Sequence, residues 1–179
     1  MAVATRTGRA GWRLSDPVVD AVVASGLLLL VGVQVVAGGD LDAASTRYLL
    51  FAPAVTLPLA WRRRAPLATM GVVAGALCAQ SLVTEPLPAF GEFLAVMLAT
   101  YSVAAHTPSR PAVLGLAFAS VGVGVQGVRD PAATSSFEFV YGVVYFCGCW
   151  LLGRTARTRR HRSSELERRA VRRRPGSTD

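Results

Sequence analysis

The sequence predicts an all-α protein, a six-helix transmembrane bundle with a basic cytoplasmic C-terminal helical tail. Its composition is 52% hydrophobic and 17% charged, and its mean hydropathy is +0.41. Soluble domains carry roughly 25% charged residues, and a chain this apolar does not resemble a disordered one. Long charge-free stretches and an uneven distribution of arginine complete the pattern.

Six stretches of 14 to 20 residues contain no charged residue. A helix rises about 1.5 Å per residue, so roughly 20 residues cross the hydrocarbon core of a bilayer. The shorter stretches reach that length with flanking residues. The predicted membrane-spanning helices are residues 17–39, 43–61, 65–84, 88–106, 110–128 and 136–153. A soluble helical domain is the alternative, but helices of this composition would present almost no polar face to water.

The spans divide the chain into a cytoplasmic N-terminal segment, 1–16, a membrane domain, 17–153, and a basic cytoplasmic linker or tail, 154–179. All 19 basic residues are arginine, and 17 of them fall in alternate connecting segments. The positive-inside rule then places both termini in the cytoplasm of a protein of the plasma membrane. The exceptions are Arg47 and Arg129.

The lipid bilayer is the first partner that this pattern predicts. The tail contains ten arginines directly after the last helix, which predicts contact with anionic lipids. No nucleic-acid-binding motif accompanies these arginines, so we expect no nucleic acid partner.

The first two helices carry recognisable local signals. Asp16 can cap the first helix, and Pro17 suits its first position. Asp20 falls in the first turn, where the helix dipole favours a carboxylate, and we expect it to pair with a nearby arginine. A charge within a membrane helix is also a functional candidate. Pro53 and Pro58 should bend the second helix.

Small residues mark the faces of the third and fifth helices. Gly71 and Gly75 have G-x-x-x-G spacing on the third helix. The fifth helix repeats the small-residue face with Gly115, Ala119, Ser120, Gly122 and Gly124. Such faces allow close approach of another helix, either inside the bundle or in a homodimer, and we expect the first use.

Two acidic residues lie about one turn inside the outer ends of the fourth and sixth helices. Together with two arginines at the same level, they predict a polar cluster on the extracytoplasmic rim: Arg47, Glu92, Arg129 and Glu138. Its functional interpretation is a site for an external signal or a lipid perturbation. The alternative is anchoring at the interface by snorkelling side chains.

No catalytic motif is present in the sequence. There is no phosphate-binding loop, nucleophile elbow, zinc-binding helix or C-x-x-C, and the only histidines are His106 and His161. The sequence therefore predicts no enzyme, no catalytic residue, no cofactor and no metal site.

Several connecting segments together resemble a known family. Residues 58–75 read PLAWRRRAPLATMGVVAG, residues 100–116 read TYSVAAHTPSRPAVLGL, and residues 150–170 read WLLGRTARTRRHRSSELERRA. In this order they resemble the N-terminal membrane domain of actinobacterial two-component sensor histidine kinases, a class related to nitrate- and membrane-fluidity-sensing kinases.

The resemblance implies an input domain whose last helix continues into a cytoplasmic linker. The phosphoacceptor and ATP-binding motifs of such kinases have no counterpart here, so the expectation is a truncated or regulatory sensor. Its partner would be a second copy or a full-length kinase. A small membrane transporter or permease subunit is an alternative, and so is an assembly protein. A transporter would need a polar pathway, for which the sequence offers Gln34, Thr56, Gln80, Thr100 and Gln126.

Overall fold

The computed structural model describes residues 16–38, 43–84, 90–129 and 136–172. All regular structure in these ranges is helical, which confirms the all-α prediction. The helices are α1 Asp16–Ala37, α2 Ala43–Thr56, a 3-10 segment Leu57–Trp61, α3 Pro66–Val83, α4 Phe90–His106, α5 Ser109–Arg129 and α6 Ser136–Arg172. Each predicted span coincides with one of these helices within a few residues, except at the ends of the second and sixth.

The second predicted helix changes geometry before it ends. It was predicted as one bent helix over residues 43–61, but α2 ends at Thr56 and a 3-10 segment follows. Proline has no N–H and its ring crowds the preceding turn. Pro53 lies inside α2 and Pro58 opens the 3-10 segment, so the two prolines shorten the α-helix and tighten its last turns.

The sixth helix continues beyond residue 153, where the predicted membrane span ends, into the tail that the sequence predicts to be helical. It contains 37 residues, which correspond to about 55 Å at 1.5 Å per residue. The predicted boundary at residue 154 is therefore not a break in structure. Residues 173–179, with Pro175, lie outside the described residues.

Consecutive helices run in alternate directions, which gives the bundle two distinct ends. We call the end that holds Arg62, Arg63 and Arg64 the arginine end, and the end that holds Glu92 the glutamate end. The helices α1, α3 and α5 begin at the arginine end, where α4 ends. The long helix α6 begins at the glutamate end and extends beyond the arginine end.

The interior is rich in alanine, whereas many large apolar side chains face outwards. Nine alanines are buried among the described residues: Ala24, Ala52, Ala74, Ala95, Ala99, Ala104, Ala105, Ala112 and Ala119. Leu29, Leu50 and Leu152 are each more than 60% exposed. Small interior residues let helix backbones approach closely, and in water so many exposed large apolar side chains would form an unfavourable surface.

Within the described ranges, two helices are long and apolar enough to cross a membrane by length and composition, Asp16–Ala37 and Pro66–Val83. Phe90–His106 and Ser109–Val125 are apolar but shorter.

The glycines of α5 and α3 differ in their surroundings. A Cβ atom at Gly115 would lie 2.5 Å from the Val103 side chain, and one at Gly122 would lie 3.4 Å from the Ala74 backbone. The predicted packing of the fifth helix inside the bundle is confirmed for these two glycines and for the buried Ala119. It was wrong for Ser120, which is exposed, and for Gly124, whose added Cβ would meet nothing within 4 Å. Gly71 and Gly75 would meet nothing within 4 Å, so the same expectation was wrong for α3, whose glycines face outwards.

Candidate functional site

Each end of the bundle contains a buried polar cluster. At the arginine end, Asp20 is 2% exposed and Arg62 is 9% exposed. The Asp20 Oδ1 atom accepts hydrogen bonds from Arg62 Nη2 at 2.6 Å and Nε at 3.0 Å. Arg63 Nε lies 2.8 Å from Asp20 Oδ2. The predicted pairing of Asp20 is thus confirmed, and one carboxylate binds two guanidinium groups.

The contacts of these arginines extend to neighbouring elements. Arg63 Nη1 also lies 2.9 Å from the exposed Asp16 Oδ1. The Ser102 hydroxyl on α4 donates to the backbone carbonyl of Arg62 at 2.9 Å, and His106 Nδ1 lies 2.9 Å from the Ser102 carbonyl. The cluster joins the start of α1, the segment after the 3-10 turn and the end of α4.

At the glutamate end, Glu92 lies in the first turn of α4 with only 3% of its surface exposed. Gln80 Nε2 on α3 lies 3.1 Å from Glu92 Oε1 and 3.3 Å from Oε2. The hydroxyl of Tyr48 on α2 hydrogen-bonds to the same carboxylate. Tyr48 and Gln80 are each 1% exposed, so the carboxylate is held by two fully buried partners.

The first helix also contributes to the glutamate end. Gln34 Oε1 accepts the Gly91 N–H at 2.9 Å, so side chains from α1, α2 and α3 surround the first turn of α4. Within the described part of the chain, the buried Gln80 Oε1 atom has no hydrogen-bond partner. A buried acceptor without a donor is uncommon and costs free energy.

The structure gathers only part of the predicted rim cluster. Glu92 is buried against Gln80 and Tyr48, whereas Arg47 is exposed. The side chains of Arg129 and Glu138 lie outside the described residues. Sequence reasoning missed Tyr48 altogether, and it singled out Gln80 only as a polar residue in an apolar helix. That signal was sufficient to find Gln80, but nothing in the sequence paired it with Glu92.

Aromatic rings connect the glutamate end to α6. Phe93, next to Glu92 in the chain, makes edge contacts with Tyr145 at 5.7 Å and with Phe146 at 5.8 Å between ring centroids. Further along the same interface, Gly153 lets α6 approach the backbone of α4 closely. A Cβ atom there would lie 2.6 Å from the Tyr101 carbonyl oxygen.

Two side chains of α6 contact the first turn of α5 at the arginine end. Trp150 Nε1 donates to the Ala112 carbonyl at 3.1 Å. Arg154 Nη2 lies 2.6 Å from the Ser109 hydroxyl oxygen, and its guanidinium carbon lies 5.8 Å from the Trp150 ring centroid. These contacts fix α6 where it leaves the bundle.

Two of the polar residues that a transport pathway would use, Thr56 and Thr100, form hydrogen bonds within their own helices. The Thr56 hydroxyl donates to the Ala52 carbonyl and the Thr100 hydroxyl to the Val96 carbonyl, each at 2.8 Å. The side chain of Gln126 lies outside the described residues. Neither threonine therefore presents its hydroxyl proton to a transported solute.

The model of a family described as Domain of unknown function (DUF7134) matches residues 9–160. No curated protein and no solved structure matches the chain significantly.

Proposed function

The chain belongs to the DUF7134 family, and we propose that it is a membrane-embedded input domain that passes a signal to its cytoplasmic helical extension. Its role would be similar to that of the membrane domain of a sensor histidine kinase. The proposal includes six membrane-spanning helices, with the arginine end on the cytoplasmic side, and assigns no catalytic role to the chain.

The distribution of residue types supports the six-span arrangement. Among the described residues, alanine is the commonest buried apolar residue and many large aliphatic side chains are exposed, as expected for a bundle surrounded by lipid rather than water. The arginines concentrate at one end of the bundle and along α6 beyond it, which fits the positive-inside rule. In this arrangement the arginines of the extension lie near the anionic headgroups of the inner leaflet.

The continuity of α6 is the observation that carries the proposal. One unbroken helix contacts α4 through aromatic rings near Glu92, passes the first turn of α5, and continues as a basic helix to Arg172. Small shifts or rotations of packed helices are a common means of transmitting a signal. A displacement of α4 at the glutamate end would move α6 and thereby its cytoplasmic part.

The cytoplasmic part of α6, residues 154–172, is called the extension here. A movement of the extension has an effect only if a partner binds to it. A second copy or a full-length kinase would supply a helix to pack beside it. Transport is the alternative, and accumulation of solute in liposomes that contain the purified chain would establish it. Two of the polar residues that a pathway would use, Thr56 and Thr100, are occupied within their own helices, so transport has less support.

A chimeric kinase tests the proposal. The chain through Arg172 replaces the membrane domain of a sensor histidine kinase, with the helix joined in register to the phosphoacceptor helix. We expect autophosphorylation in vesicles to change when Gly153→Ala forces α6 away from α4. The matched variant Gly148→Ala, whose added methyl meets nothing within 4 Å, should leave it unchanged. Equal activity of the two variants in folded chimeras would contradict the proposal.

A further inference from the structure

We propose that Glu92 is a proton-binding site, and that acid on the extracytoplasmic side protonates its carboxylate and exchanges the hydrogen bonds that it makes with Gln80 and Tyr48. The inference rests on the proposed function for the location of the glutamate end. It adds the chemical nature of the signal, a proton.

The partners of Glu92 favour a site that changes charge. In the described part of the chain, its hydrogen bonds come from an amide and a phenol, not from a cation. This differs from Asp20, whose carboxylate faces two guanidinium groups. A carboxylate held by neutral donors is costly in a low-dielectric interior, so the addition of a proton removes a charge that none of the described hydrogen-bond partners of Glu92 balances.

The groups around Glu92 come from several elements. Among the described residues, Tyr48 on α2 and Gln80 on α3 bond to it, and Gln34 on α1 accepts the N–H of the neighbouring Gly91. Tyr145 on α6 is one ring contact away through Phe93. No residue of α3 is charged, and the acidic residues of α1 lie at the arginine end. Arg47 on α2 is exposed, and the side chains of Arg129 and Glu138 lie outside the described residues.

Gln80 can form a hydrogen bond with Glu92 whether the carboxyl group is ionised or protonated, because an amide carries both a donor and an acceptor. In the structure its Nε2 group donates to the Glu92 carboxylate, and its buried Oε1 atom accepts nothing from the described residues. When a proton from water forms an O–H bond on Glu92, the carboxyl group becomes a donor. Rotation of the Gln80 amide by half a turn then places Oε1 to accept this hydrogen bond, while the Tyr48 hydroxyl continues to donate to the other carboxyl oxygen.

The position of Glu92 makes it reachable by water and places it next to a residue that contacts α6. Glu92 lies in the first turn of α4, two residues after the exposed Phe90, so a short local opening of the helix end admits water. On its other side Phe93 contacts Tyr145 and Phe146 of α6. A rearrangement of the first turn of α4 is therefore transmitted to the long helix by direct ring contact.

Infrared difference spectroscopy of the full chain in lipid vesicles tests this site. We expect acidification to produce the C=O stretching band of a buried carboxylic acid, and Glu92→Gln to abolish the band. Glu165→Gln, which removes an exposed carboxyl group of α6, should leave it in place. Because Tyr48→Phe removes only a hydroxyl that donates to the carboxyl oxygen, that variant should keep the band and move it to higher frequency.

A band that survives Glu92→Gln, or is absent from the unmodified chain, would overturn the proton site. So would a band whose frequency is the same in Tyr48→Phe, a variant that keeps the packed ring. These results are independent of signalling. If the band behaves as expected but Gly153→Ala does not change autophosphorylation of the chimeric kinase, the proton site stands and the input-domain function fails. If Gly153→Ala changes autophosphorylation but Glu92 gives no band, the input-domain function stands and the proton site fails.

Discussion

Asp20 and Arg62 are separated by 42 positions in the chain, yet they form a buried bidentate contact in which two guanidinium nitrogens share one carboxylate oxygen. The contact joins the start of α1 to the segment that connects the 3-10 turn with α3. Arg62 also accepts the Ser102 hydroxyl through its carbonyl. Three elements are therefore held together at the arginine end by one residue.

Removal of either partner should destabilise the bundle. We expect Asp20→Ala to lower the free energy of unfolding by about 3 kcal/mol, because it leaves the buried Arg62 guanidinium without its partner. Arg62→Ala should lower it by less, because Asp20 keeps its contact with Arg63. Denaturant unfolding in detergent micelles measures the change. The double variant should cost clearly less than the sum of the two, which reports their coupling. Arg64→Ala, at an exposed position, is the control, with an expected change within about 0.5 kcal/mol. Additive losses would contradict the pairing.

The contact between α4 and α6 should be sensitive to one methyl group. At Gly153 a Cβ atom would lie 2.7 Å from the Ala104 Cβ and 2.6 Å from a backbone oxygen, which a rotamer change cannot relieve. We expect Gly153→Ala to lower the free energy of unfolding by about 1–3 kcal/mol. Gly148→Ala should be neutral or slightly stabilising, since alanine favours helix over glycine. The same unfolding assay distinguishes them, and equal stability would show that α6 does not approach α4 at this point.

The indole hydrogen bond of Trp150 should contribute measurably to the position of α6. Trp150→Phe keeps an aromatic ring but loses the donor to the Ala112 carbonyl, a loss of about 1 kcal/mol. Hydrogen–deuterium exchange should then increase in the first turns of α5 and around Arg154. Trp61→Phe, at a side chain that is 57% exposed, provides the comparison. Unchanged exchange in Trp150→Phe would mean that this bond does not fix the helix.

The extension of α6 should be separable from the bundle. Thr158→Pro removes a backbone donor and costs about 3 kcal/mol of helix stability. Because residue 158 is exposed and lies beyond the bundle, circular dichroism should show reduced helicity and a protease should cut the extension faster. The midpoint of bundle unfolding should not change. Thr158→Ala keeps the helix and serves as the control. A lower midpoint in the proline variant alone would show that the extension packs against the bundle.

Helix positions could be predicted from the sequence because charge-free length and arginine placement are local properties. The end of α2 and the tail of α6 also depend on local features. Pro53 and Pro58 predicted a bend, but whether a helix bends or tightens depends on the packing of the next turn. A helical tail was predicted although residues 154–172 have little apolar periodicity, and its helix follows from continuity with a packed segment, which removes the cost of nucleation.

The two polar clusters show the limit of the sequence more clearly. The partner of Asp20 could be expected because arginines crowd the same end of the bundle. The partners of Glu92 could not, because Gln80 and Tyr48 are uncharged and lie on other helices. Whether these side chains meet Glu92 depends on how each helix is rotated about its own axis, and the small residues inside the bundle determine that rotation. For the same reason, G-x-x-x-G spacing alone did not reveal that Gly71 and Gly75 face outwards.

Labelling of single cysteines in intact cells tests the six-span arrangement most directly. In a chain whose native Cys78, Cys147 and Cys149 are replaced by serine, one variant carries Thr134→Cys between α5 and α6, and the other carries Ser164→Cys on the extension. A membrane-impermeant maleimide should label the first in intact cells, and the second only after permeabilisation. Labelling of residue 164 from outside, or purification of the chain as a monodisperse protein without detergent, would contradict the arrangement.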